Sequence, residues 1–357
     1  MTTSQSRINN LIIIKLCFIF IFPLSTMTYA FDLMLVGGGM KTCSSIATSS
    51  CKDDTQFSSA AKRANRYLVT SEQLGRALAH PALAGLSTSQ RRAIAGLRTQ
   101  FTPSIQSVSL AQLSAALDKQ QSQFLSQLSD NNYFALLDLL QSPSGGDSTT
   151  QDAKEQVNLN ATKNPHGPML YRRFVREAAA RLDSPQPGQR PKIIIVTASS
   201  RDPFESVDFY QQAFEQAGAD AVWLPLDSAL QMALSTKQCQ KLNQYRFELQ
   251  GNLDGDRRYP ELAKLQLDYC QSPEKILDEL ESANGLFLNG GDQSLTLNAW
   301  LTPSGEESDA LRRVKRRLSE HTLVVGGTSA GTAVMTRFAM ITGGTSEGAL
   351  NYGIFDA

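Results

Sequence analysis

Gly327-x-Ser329-x-Gly331 is a spacing in which a serine hydroxyl can serve as a nucleophile for acyl transfer. Leu323, Val324 and Val325 precede it as an apolar, β-branched run that reads as a buried strand over residues 322–325. An apolar segment that suits a helix follows. A sharp strand-to-helix turn lifts the serine into the open, and glycines flank it because side chains there would collide with the turn. The backbone N–H of Ala330, at the start of the helix, is then aimed at a developing oxyanion. A Gly/Ser-rich loop without chemistry is the alternative reading, and the preceding strand favours the catalytic one.

A second strand, 285–288, runs through Asn289 into Gly290-Gly291-Asp292-Gln293. Paired glycines let the backbone approach a bound carbonyl, so Gly290 and Gly291 are candidates for the second oxyanion donor. Asp292 and Gln293 are candidates for orienting a polar substrate, and Asp292 also suits the N-cap of the helix containing Leu295 and Leu297. Gly37-Gly38-Gly39-Met40-Lys41-Thr42 invites a nucleotide reading, but Met40 separates Gly39 from Lys41, so it is not a phosphate-binding loop. It reads instead as a tight turn at a strand's carboxyl end, facing an active site in an open α/β sheet.

The three histidines are poorly placed for a general base. His321 begins the elbow strand, at the end opposite Ser329; His80 precedes Pro81, and His166 sits in a Pro/Gly loop. No HExxH or paired Cys/His spacing exists, so neither a metal nor another cofactor is expected. Glu347 is an acidic candidate by proximity alone, in a Gly-rich loop. The cationic run 312–317 reads as the solvated face of a helix.

The elements that would position these residues alternate between apolar runs and helical patterns. Strand-like runs at 32–36, 192–198, 221–226, 285–288 and 322–325 are nearly continuous in apolar residues, as a parallel sheet covered on both faces requires. Asp202-Pro203-Phe204-Glu205 has the form of a helix start, Val207, Tyr210 and Phe214 share a face, and Gly218 can close the helix. The fold class is therefore α/β, doubly wound and mostly parallel. Residues 57–166 interrupt the alternation as a helical insertion, with a capping box at Ser109/Gln112 and a stripe of Leu110, Leu113, Leu117, Phe124 and Leu128. A polar segment, 142–150, lies near its far edge. Residues 31–56 and 167–357 form the α/β part.

A chain of 357 residues with 41% hydrophobic content can bury a full core. Its 34 basic and 34 acidic side chains give no field that would attract nucleic acid. Arg7, the apolar run 11–24 and Thr28-Tyr29-Ala30 have the form of a cleaved signal peptide, 1–30, and Lys15 makes the run too short for a comfortable membrane span. Removing 1–30 takes away Arg7, Lys15 and Cys17 and leaves 32 basic against 34 acidic residues, a charge of −2 with no membrane attachment expected. Four cysteines remain, Cys43, Cys51, Cys239 and Cys270, compatible with two disulfides in a secreted or periplasmic protein. Three pairings are possible, and proximity in sequence favours Cys43–Cys51 and Cys239–Cys270.

A strand ending in Gly-Gly-Asp-Gln (290–293), one helix, then a strand ending in Gly-Thr-Ser-Ala-Gly (327–331) resembles the cyanophycinase-like serine peptidases. These belong with the dipeptidase E group on a class I glutamine amidotransferase-like fold. Residues 193–200 and 203–218 resemble that family's second strand and helix. The resemblance implies Ser329 as nucleophile, Ala330 with the Gly290/Gly291 turn as oxyanion donors, and Gln293 as a substrate contact. It implies hydrolysis of β-aspartyl linkages, in cyanophycin (the β-Asp-Arg polymer) or in dipeptides, and a homodimer. Family members carry the catalytic histidine and its acidic partner downstream of the serine. The implied reading is a carboxy-terminally incomplete chain whose general base lies beyond residue 357, with an exported non-catalytic binding protein on the same fold as the alternative.

Overall fold

The computed structural model describes residues 31–143 and 154–335, with the backbone of 340–341 and 349–350. The expected signal peptide, residues 144–150 of the polar segment, and Glu347 lie outside the described residues. In chain order the strands are β1 (Leu33–Val36), β2 (Arg66–Leu68), β3 (Ser107–Ser109), β4 (Lys192–Val196), β5 (Asp220–Trp223), β6 (Gly285–Leu288) and β7 (Val324–Thr328). One sheet runs in the order β1-β7-β6-β4-β5, with every neighbouring pair parallel. Parallel neighbours need crossover connections, and helices supply them. Val207–Ala217 links β4 to β5, and Gln293–Trp300 with Asp309–Ser319 links β6 to β7.

Alternation along the strands divides the core. Ile193, Ile195 and Phe287 pack on one face with Phe174 and Phe214, whereas Ile194, Leu286 and Leu288 pack on the other with Trp300, Leu311 and Val314. Each of these eleven side chains is at most 1% exposed. At roughly 1.5–3 kcal/mol per buried large apolar side chain, this two-sided burial is what holds the sheet at the centre. An α/β architecture with its parallel sheet covered on both faces is compatible with the doubly wound arrangement read from the sequence.

The strands read at 192–198 and 221–226 end earlier, at Val196 and Trp223, and two further boundaries differ from the sequence reading. The strand expected at 322–325 is observed as Val324–Thr328, so Gly326 and Gly327 belong to the strand itself. A Cβ at Gly326 would lie 2.7 Å from the Phe174 ring, and one at Gly327 would lie 2.7 Å from the Gly331 backbone. These glycines allow close packing over an extended backbone. The helix expected from Asp202 begins instead at Val207. Asp202 is buried and ion-paired with Arg258, and it accepts the Phe204 N–H at 3.1 Å, so its carboxylate is unavailable as a helix cap. Gly218 does close that helix, at φ 103°.

The helical insertion stands on the antiparallel pair β2–β3 and comprises helices Ser71–Ala79, Thr88–Gly96, Leu110–Gln120 and Asp130–Leu140. It has its own core, in which Leu83, Ile94, Leu97, Leu113 and Leu136 are fully buried. The Ser109/Gln112 capping box forms, with Gln112 N–H donating to Ser109 Oγ at 3.2 Å and Ser109 N–H to Gln112 Oε1 at 2.9 Å. The stripe is not one helix, however. Leu110 is 37% exposed, the helix ends at Gln120, and Gln123 at φ 55° returns Phe124 to the core.

A polar seam fastens the insertion to the α/β part. Asp138 accepts both guanidinium nitrogens of Arg201, at 2.7 and 2.9 Å, and the Leu253 N–H at 3.0 Å. Arg258, 1% exposed, pairs with Asp202 and lies 3.6 Å from Asp138. The strap 43–52, closed by the Cys43–Cys51 disulfide, is bonded to the returning chain through Ser45 N–H to Gln156 O and Lys52 N–H to Ala161 O. Cys239 and Cys270 form the second disulfide. The run 312–317 is not uniformly solvated: Arg313 and Arg316 meet Glu281, each at 2.6 Å, but Arg317 is buried. Its guanidinium donates to the carbonyls of Leu280 and Thr322, each at 2.8 Å, so it ties β7's entry to the neighbouring helix.

At the amino-terminal end of the sheet, Asp32 lies 2.8 Å from Arg181 Nη2 and 2.7 Å from His321 Nδ1. Burial pushes the Asp32 carboxyl upward, but the bonds from His321 and Arg181 prevail and hold it below its ordinary value of 3.8. A depressed carboxyl stabilises the fold above its unfolded-state value, and that contribution disappears as pH falls through the folded value. Asp32→Asn is therefore expected to lower the melting temperature at neutral pH, with the gap to wild type closing below about pH 4. Thermal melts from pH 7 to pH 2 test this, and a gap that is constant with pH would contradict it. Among the described residues no helix is long and apolar enough to cross a membrane.

Candidate active site

Chain order reverses between β4 and β6: β4 leads outward to β5, and the later strands β6 and β7 lie on its other side. Open α/β sheets bind ligands outside the carboxyl ends of the strands at such a point. The loops that meet here are stitched together by Ser199 and Asn289. Ser199 N–H donates to Asn289 Oδ1 at 3.0 Å, Ser199 Oγ donates to the Asn289 carbonyl at 2.8 Å, and Asn289 Nδ2 donates to Ser200 Oγ at 2.7 Å.

Ser329 follows β7 directly, is exposed, and adopts φ 50°, ψ −113°. Lys237, with a similar φ, has ψ 39° and sits in the ordinary left-handed region at a helix end, whereas Ser329 lies outside it. Such a conformation costs on the order of 1–3 kcal/mol and persists only where neighbours impose it. Here they are identifiable. Ser329 N–H donates to the Val36 carbonyl of β1 at 2.8 Å. The Thr332 hydroxyl accepts the Val36 N–H at 2.9 Å and lies 2.7 Å from the Gly327 carbonyl, closing the turn from beneath.

Glycines bring the strand ends together. A Cβ at Gly331 would lie 2.5 Å from the Leu288 carbonyl oxygen, and one at Gly290 would lie 3.1 Å from Ser329 Cβ. Gly291, at φ 151°, is the tightest position, since a Cβ there would lie 2.1 Å from the Ser199 carbonyl oxygen. Gly291→Ala is expected to cost roughly 2–5 kcal/mol through overlap and backbone strain combined. Chemical denaturation measures this, and a loss under about 1 kcal/mol would show that the turn is free to shift.

The other expected site residues fall around this turn. Ala330 is buried at the first position of a single helical turn, Ala330–Ala333, so its N–H acts as an individual donor with little macrodipole behind it. Asp292 caps helix Gln293–Trp300, its carboxylate accepting the Ser294 N–H at 2.8 Å, while its own N–H donates to the Ser199 carbonyl at 2.7 Å. Gln293 is half-buried, and its Oε1 is shielded from solvent with no hydrogen-bond partner among the described residues. The Gly37–Gly39 turn follows β1, the strand beside β7, where a Cβ at any of its three glycines would meet open space.

The described histidines lie elsewhere. His321 pairs with Asp32 before β7, separated from Ser329 by the whole strand, roughly 16 Å of extended chain. His80 accepts the Ala82 N–H through Nδ1 in the insertion, and His166 is exposed at a helix start. Among the described residues no group of three or more His, Cys, Asp or Glu side chains is gathered as a metal site. Sequence reasoning missed Ser199, Asn289 and Thr332. Their only sequence signal was position, immediately after an apolar run or within one turn of the elbow.

Fold and site together define an α/β protein with a serine on an elbow-type turn at the carboxyl edge of a parallel sheet. No family model matches the chain. Over 74 residues it is 36% identical to a cyanophycinase of Synechococcus elongatus, and equally to one of Thermosynechococcus vestitus (strain NIES-2133 / IAM M-273 / BP-1). The similarity spans 21% of this chain and 21% of each of those proteins. It hints at a cyanophycinase-like relationship and a peptidase theme.

Proposed function

We propose that this protein is an exported serine peptidase hydrolysing β-aspartyl peptide bonds, in a β-Asp-Arg polymer of cyanophycin type or in peptides derived from it. The observation that carries the reading is Ser329, exposed on its strained turn and packed against the Gly290–Gly291 turn. The similarity to two cyanophycinases supports the choice of bond. The two disulfides support export.

In this reading Ser329 Oγ attacks the β-carbonyl carbon, and its proton passes to a general base outside the described residues. The carbonyl electron pair moves onto oxygen, where the N–H groups of Ala330 and Gly291 receive the charge. Collapse breaks the C–N bond and releases the amine with a proton, leaving a β-aspartyl ester on Ser329 that water then hydrolyses. A substrate N–H would also satisfy the orphaned Gln293 Oε1. The test incubates the full-length protein with β-Asp-Arg polymer and with α-linked Asp-Arg peptides, reading products by mass spectrometry. Cleavage of the β-Asp–Arg bond, read as release of the arginine amine, with the α-linked peptides intact is expected; cleavage confined to α-linked peptides would contradict the proposal.

A further inference from the structure

Asn289, 2% exposed, lies between the end of β6 and the Gly290–Gly291 turn, and its bonds reach the other loops of the site. Its N–H donates to the Val196 carbonyl at 3.2 Å, carrying the pairing of β6 with β4 one residue past the strand. Its carboxamide crosses to the loop after β4, accepting the Ser199 N–H at 3.0 Å and donating to Ser200 Oγ at 2.7 Å. Its carbonyl accepts from Ser199 Oγ at 2.8 Å and also abuts the nucleophile turn, since a Cβ at Gly331 would lie 2.6 Å from it. Ser199, 1% exposed, completes the bracket. Its carbonyl accepts the Asp292 N–H at 2.7 Å and lies where a Cβ at Gly291 would come within 2.1 Å, and its hydroxyl meets that of Thr296 on helix Gln293–Trp300.

We propose that Asn289 is a positioning residue for acyl transfer: its carboxamide locks Ser199 in place, and the Ser199 carbonyl in turn sets the Gly290–Gly291 turn against Ser329. This inference rests on the assignment of that turn as an oxyanion wall. The need for a lock follows from the glycines. Without a Cβ to limit its backbone, Gly291 takes its position from its partners, and the Asp292–Ser199 bond beside it is one of them. Ser199 is itself held by the acceptor end of the Asn289 amide, while the donor end holds Ser200. An aliphatic side chain of that size could do neither. Buried as it is, Asn289 offers no surface to substrate. A donor that strays from the oxyanion loses most in the transition state, where charge is greatest. The loss should then fall on kcat, with little change in KM.

The experiment compares wild type, Asn289→Ala, Ser200→Ala and Ser200→Thr in the full-length protein. Steady-state hydrolysis of the β-Asp–Arg bond is read beside amide hydrogen exchange at Asp292, whose bond to the Ser199 carbonyl involves none of the altered side chains. Asn289→Ala is expected to lower kcat about tenfold or more with KM within about twofold, and to speed Asp292 exchange about tenfold. Ser200→Ala removes one of the two partners of the carboxamide and should move both quantities the same way by about threefold. Ser200→Thr, which keeps the hydroxyl, should match wild type. Unchanged kcat or unchanged Asp292 exchange in Asn289→Ala, or a rise in KM with kcat kept, would overturn the inference. Should Asn289→Ala fail to fold, the Ser200 pair decides, and equal kcat in Ser200→Ala and Ser200→Thr overturns it. If wild type does not hydrolyse the substrate, the functional reading fails, and Asp292 exchange alone still decides: unchanged protection in Asn289→Ala, or in Ser200→Ala where the former does not fold, overturns the positioning role.

Discussion

Replacing Ser329 with alanine is expected to reduce kcat for β-aspartyl hydrolysis by at least about 10⁴-fold, with no measurable change in secondary structure. The size follows from the chemistry, because without Oγ there is no covalent intermediate and only the oxyanion donors and substrate contacts remain. The fold should survive, because the interactions that impose the turn are made by the Ser329 backbone N–H and by Thr332. Hydrolysis rates with circular dichroism check both halves. A loss of activity accompanied by unfolding would place Ser329 in the scaffold.

The second large effect is on stability. Asp138→Ala is expected to destabilise the protein by about 3–5 kcal/mol, because removing one partner of a buried pair leaves the opposite charge uncompensated. Asp138 is 2% exposed and accepts from Arg201 and the Leu253 N–H, with Arg258 nearby. Arg258 would keep Asp202, and Arg201 is partly solvated, so the lower part of that range is the better expectation. Arg201 immediately follows Ser199 and Ser200, which brace the Gly291 turn. The variant should thus also lose activity at temperatures where it remains folded. Urea denaturation measures the first effect; a change under about 1 kcal/mol would show that the seam does not fasten the insertion.

The elbow strand, the Gly-Gly turn and the central sheet were legible because their signals are local: apolar β-branched runs ending in glycine at fixed spacing. What escaped depends on partners distant in sequence. Asp202 has every local mark of a helix cap, yet Arg258 claims it from 56 residues away. Arg317 belongs to a run of cations that reads as solvated, but carbonyls from the helix at Glu274–Ser282 and its following loop surround it. Even the glycines of β7 were only half understood: they fit a turn by type, but two of them serve the strand by size.

The most direct test is to treat the full-length protein with a fluorophosphonate and locate the adduct by peptide mass spectrometry, while following β-Asp–Arg bond hydrolysis in the same sample. The expected result is a single adduct on Ser329 whose stoichiometry rises in step with the loss of hydrolysis. Hydrolysis that persists with Ser329 fully modified, or inactivation that tracks an adduct on another residue, would contradict the assignment of Ser329 as the nucleophile.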